Sequence, residues 1–135
     1  MSESIEAITS QALRLALDAG ALRQQAYAAN IANAGSAGFV PAQVDFESQL
    51  GAARRSLGDT GRIQSGQLRG VTPRLEPLRE SSAGFAVDGL TPTKRIDLDN
   101  EAVKLAQNAL HFQVLLRGLN RHLGILATAA GDGRK

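Results

Sequence analysis

The sequence predicts a mainly α chain: two long terminal helices forming an antiparallel coiled-coil-like pair, with an irregular or short-strand, partly disordered central insert. Three observations predict it. Unbroken heptad patterns run along both ends of the 135 residues, asparagines and glycines stop the first of them, and glycine and proline punctuate the middle.

The first pattern assigns residues 1–33 to a helix. Ile5, Ala12, Ala19 and Ala26 recur at sevens up to Asn33, and Ile8, Leu15, Leu22 and Ala29 fill the intervening three-four spacing. Such a row is the seam of a paired helix. From residue 5 to 33 it would be about 43 Å long at 1.5 Å per residue. Gly20 is its weak interior position, at about 1 kcal/mol relative to alanine. Leu13, Leu17, Ala21, Ala28 and Ile31 make a second apolar stripe off the seam. One partner helix cannot cover both.

Residues 34–50 redirect the chain. Asn30 and Asn33 tolerate a helix end, and Gly35 can take the left-handed conformation that closes one. Gly38 permits a second turn before Phe39, and Pro41 biases Val40 to extended geometry. Residues 51–95 hold seven glycines and three prolines with apolar residues scattered singly, a variable insert without helical period. Thr72-Pro73 and Glu76-Pro77 argue against a central strand, and Ser81 to Gly84 reads as a turn or link.

Residues 96–130 repeat the first arrangement. Leu98, Leu105, Phe112, Leu119 and Leu126 recur at sevens, and Ala102, Ala109, Leu116 and Leu123 complete the alternation. Small seam residues on the first helix facing large ones here would allow close approach. Asp97, Asp99 and Glu101 suit the helix start, where carboxylates cap free N–H groups and complement the dipole. Val103, Ala106, Leu110 and Val114 form a second stripe. Gly131 to Gly133 end the helix, and 131–135 are a tail.

Composition excludes more than it assigns. No cysteine is present, which removes disulfides and thiolate chemistry, and only 4% of residues are aromatic. Acids in the first six residues argue against a secretory signal, and no run approaches the roughly 18 apolar residues of a membrane span. Net charge is +2, with two basic and five acidic residues in 1–50 against eight and four in 51–95. The arginines of that basic insert are spread out and have only Phe85 as an aromatic neighbour for base stacking, so a solvated loop fits better than a nucleic-acid groove. His111 and His122 lie about 16 Å apart along one face, too far to share a metal, and read as solvent-facing. Asp97 to Asn108 lacks the glycine and final glutamate of a calcium loop. Asp45 and Glu47 have no neighbouring base or nucleophile. No catalytic, cofactor or metal site is expected.

Arg23-Gln24-Gln25, followed by Ala29 to Phe39 (ANIANAGSAGF), resembles the N-terminal signature of bacterial flagellar rod, hook and hook-filament proteins. Val44-Asp45-Phe46-Glu47-Ser48-Gln49-Leu50, Ile96 to Glu101 and Leu105 to Gln113 are similar to the rod proteins of the basal body. Within the motifs, Asn30, Ile31, Asn33, Gly35, Gly38, Phe39, Asp45, Phe46, Asp97 and Asp99 carry the match. The family's usual Thr-Pro-Gly-aromatic turn is Ser36-Ala37-Gly38-Phe39 here, without the proline, and Leu90 to Arg95 is longer and more basic than the usual connection.

The resemblance implies a structural subunit of the proximal rod, polymerising through its terminal helices into a torque-transmitting shaft around an export channel. Its implied partners are further copies, other rod subunits, the protein joining rod to MS ring and the flagellar type III export gate, with no nucleic acid or small-molecule substrate. Export without a cleaved signal, through a flexible region at about residues 1–10, is implied too. A basic helical nucleic-acid-associated protein and a helical secretion adaptor or chaperone are the alternatives from other classes.

Overall fold

The computed structural model of the chain describes residues 2–55, 68, 70–78 and 96–132. The turn read at 81–84, the connection at 90–95 and most of the basic insert lie outside the described residues. Among the described residues the elements are, in order, α1 (Ser2–Ala32), β1 (Ala42–Gln43), α2 (Phe46–Arg55), β2 (Glu76–Pro77) and α3 (Leu98–Asp132). The molecule is mainly helical, and its two long helices pack against each other.

α1 is rich in alanine, leucine and glutamine and contains no proline, so intrinsic propensity favours it along its whole length. It begins at Ser2, inside the stretch expected to be a flexible leader. At its other end Asn33 donates twice to the Ala29 carbonyl, from its backbone N–H at 3.0 Å and from Nδ2 at 2.9 Å. The chain then tightens into three-residue steps, Ala34 N–H to Ile31 O, Ser36 N–H to Asn33 O and Phe39 N–H to Ser36 O. The first of these i→i+3 bonds satisfies the Ile31 carbonyl, and the helix closes without a left-handed residue at Gly35, contrary to the sequence expectation. The positive φ falls instead on Gly38, at +78°. Gly38 is the third residue of the turn from Ser36 to Phe39, where a type II turn requires it, and Ala37 occupies the second position that proline favours. The turn forms without the proline.

β1 and β2 make a two-stranded antiparallel ladder with Ala42 opposite Pro77 and Gln43 opposite Glu76. A proline is admissible because both strands are edges. The Ala42 N–H points to the Asn30 side chain, and Leu78 N–H reaches the Pro41 carbonyl at 2.7 Å. The ladder therefore makes no demand on Pro77.

α2 is an element the sequence reading did not contain. Asp45 caps it, Oδ1 accepting from Ser48 N–H at 3.2 Å and its carbonyl from Gln49 N–H at 3.3 Å. α3 begins in the same way. Asp97 Oδ1 accepts from Asn100 N–H and its carbonyl from Glu101 N–H, with Asp99 and Glu101 in the first turn. Aspartate at this position contributes about 1 kcal/mol to a helix.

The buried apolar core is small. Leu15 and Ala19 of α1 meet Val44, Phe46, Leu68 and Val71, with Ile8 and Leu22 packed at the edge. Full burial of a leucine, valine or phenylalanine contributes about 1.5–3 kcal/mol, so a cluster of this size leaves the single chain little margin over its ordering entropy. Its position explains the path from 33 to 46. The turn and β1 bring Val44 and Phe46 back onto the middle of α1.

Candidate functional site

The candidate site is a pair of helix faces, one turned inward and one outward. The inward face of α1 consists of Leu15, Ala19, Ala26 and Asn30, all buried, with Ile8 and Leu22 half-buried. Ile5, Ala12 and Ala29, placed on the seam by the heptad pattern, are exposed in the single chain. The reason is geometric. A straight helix drifts about 20° per heptad from a strict seven-residue repeat. Past Ala26 the inner position passes from Ala29 to Asn30, and before Leu15 it moves back from Ala12 to Gln11, which is half-buried.

α3 departs from its expected seam differently. Leu105, Phe112, Leu119 and Leu126 are half-buried, whereas Leu98, Ala102, Leu116 and Leu123 are exposed; Ala109 is half-buried. The second inward series lies one residue earlier, at Glu101, Asn108, Leu115 and His122. Three of those four are polar, which is why a search for apolar repeats passes over them. His122, read as solvent-facing, has its Nε2 buried with no hydrogen-bond partner among the described residues.

Polar and aromatic contacts join the helices. Asn108 Nδ2 donates to the Gly20 carbonyl at 2.9 Å and to Gln24 Oε1 at 3.2 Å. One turn on, the Phe112 ring lies against Gly20, where an added Cβ would stand 3.0 Å from its Cδ2. The weak helical position of the sequence is thus the notch that admits an aromatic ring. Nearer the turn, Asn30 is 2% exposed and ties three segments together. Its Oδ1 accepts from Ala42 N–H and its Nδ2 donates to the Ala42 carbonyl and to Glu101 Oε2, each at 2.9 Å. Glu101 Oε1 accepts from Lys104 at 2.8 Å, so both oxygens of this buried carboxylate are bonded at the positive end of the α3 dipole.

The remaining motif residues surround this junction. Ile31, Asn33 and Phe39 are half-buried, Phe46 is buried, and Gly35, Gly38, Asp45, Asp97 and Asp99 are exposed. Asp45 and Glu47, considered as an acid pair, do separate work, since Glu47 accepts both contacts from Arg23 Nη2 and so holds α2 against α1. Among the described residues no group of three acids or histidines is arranged to hold a metal ion, and no helix is long and apolar enough to cross a membrane.

The outward face is apolar along α3. Val103, Ala106, Leu110 and Val114 all stand exposed, with Leu110 at 62% and Val114 at 66%, and Leu123 and Ile125 extend the surface toward the C-terminus. On α1 the corresponding stripe is less open, since Leu13, Leu17 and Ile31 are half-buried and Ala21 and Ala28 exposed. Between the helices Gly20, Ala21, Gln24, Ala109, Phe112 and Gln113 border an open groove of about 460 Å³.

The outward row of α3 leaves large apolar side chains in water, a feature that marks interaction surfaces. No protein-family model matches the chain. Over 111 residues it is 32% identical to the flagellar basal body rod protein FlgB of Yersinia ruckeri, covering 73% of this chain and 75% of that protein. The chain belongs to the FlgB rod-protein family.

Proposed function

We propose that the chain is a non-enzymatic structural subunit of the proximal rod of the bacterial flagellar basal body. The observation that carries this reading is the 32% identity to a basal body rod protein over most of both chains. The exposed row Val103, Ala106, Leu110 and Val114 supports it, because burying that row between subunits supplies a driving force for polymerisation. In this reading the inward faces hold the subunit together and the outward stripes meet further copies and other rod subunits. The shaft so formed transmits torque and encloses the export channel, with the rod-to-MS-ring junction protein and the type III export gate at its base. The subunit reaches the rod through that export apparatus without a cleaved signal and requires no cofactor.

Deletion of the gene tests the proposal. The expected result is a non-motile strain whose basal bodies, viewed by electron microscopy, lack a rod, with motility restored by the intact gene. Motile deletion cells with complete rods would overturn it.

A further inference from the structure

The apolar positions of α3 do not by themselves choose how far it slides along α1. Leu98, Leu105, Leu119 and Leu126 share one heptad row with Phe112, so a shift of seven residues exchanges one large apolar side chain for another. The series one residue earlier is different at each step. Glu101 is an acceptor, Asn108 is both donor and acceptor, and His122 is a ring with a buried nitrogen. Each bond observed is specific to its level. Glu101 Oε2 accepts from Asn30, and Asn108 donates to the carbonyl of Gly20. Moved one heptad, Glu101 would bring carboxylate oxygens to the Gly20 carbonyl, acceptor against acceptor, and Asn30 would lose its partner on α3.

We propose that Glu101 and Asn108 are the register-determining residues of the helix pair, excluding the heptad-shifted pairings that its leucines permit. A polar residue buried at a seam position selects alignment at some expense of stability. The inference is independent of the rod assignment, since it concerns the pairing of two helices within one chain.

The chain has no cysteine, which allows clean labelling. Nitroxide labels at Arg14→Cys and Gln107→Cys, both exposed positions and offset from each other along the helix axis, report by double electron–electron resonance how far one helix slides along the other. Measurements use the full chain in trimethylamine N-oxide, where its helicity has reached a plateau. The otherwise native sequence should give one narrow distance distribution. In the Glu101→Leu/Asn108→Leu variant, helicity should persist while the distribution broadens or splits, reflecting a displacement of about 10 Å along the axis for a heptad shift. A single unshifted distribution in that variant overturns the proposal, because the Phe112 ring in the Gly20 notch would then set the register alone. Loss of helicity in the variant overturns it as well, since the two residues would be needed for stability and not for alignment. So does a broad distribution in the native sequence.

Discussion

At the scale of single residues, the two asparagines of the first motif look alike in sequence and differ in the fold. Asn30 is buried and joins α1, β1 and α3, whereas the Asn33 side chain bonds back to Ala29 at the end of α1. Replacing Asn30 leaves both backbone groups of Ala42 and one oxygen of Glu101 without that partner. Asn30→Ala is expected to cost about 2–3 kcal/mol and Asn33→Ala less than about 1 kcal/mol. Urea denaturation of both variants compares them, and equal losses would show that the buried junction contributes nothing special. The sequence marks both residues as helix-ending types, because that depends on local side-chain chemistry. Which one turns inward depends on the fraction of a turn accumulated over 30 residues.

The elements meet where α1 is thinnest. Gly20 costs α1 about 1 kcal/mol of helix propensity relative to alanine. In return α3 approaches closely enough for the Phe112 ring to lie against the α1 backbone and for Asn108 to reach the Gly20 carbonyl. Gly20→Val places branched carbons in that space and should lower stability by about 1–3 kcal/mol, an overpacking penalty. Adding Phe112→Ala should reduce the further loss below the sum of the two single changes, as expected for residues in contact. Additive losses in a thermal or urea double-mutant cycle would place the ring elsewhere. Element existence was legible for both long helices because their apolar repeats are long. α2 was not, because its short amphipathic run depends on Phe46 finding a pocket formed by Leu15, Ala19, Leu68 and Val71.

For the whole molecule, the decisive contrast is between apolar residues used within the chain and those left outside it. Leu110 and Val114 are 62% and 66% exposed, and Leu15 is 5% exposed. Leu110→Glu and Val114→Glu should change the stability of the isolated chain by no more than about 0.5 kcal/mol, as surface substitutions do. Both should nevertheless be absent from basal bodies isolated from cells that produce them at normal levels. Incorporation at native levels would remove that face from the assembly surface. Leu15→Glu is the control, because a charge in the small core should unfold the chain itself.

The sequence by itself determined the terminal helices, the aspartate cap of α3, the turn that follows α1 and the family the chain resembles. These follow from local propensity, from hydrophobic period and from motifs whose residues are near neighbours in the chain. Tertiary structure alone decided which members of each repeat face inward. Helices of 3.6 residues per turn drift against a seven-residue pattern, so Asn30 replaces Ala29 in the interior. Glu101, Asn108 and His122 occupy positions that an apolar template gives to Ala102, Ala109 and Leu123. Their burial is tolerable where a partner stands opposite, as Asn30 does for Glu101 and Gly20 and Gln24 do for Asn108. Partners lying 71 and 88 residues away in the chain can be recognised only once the two helices have been brought together.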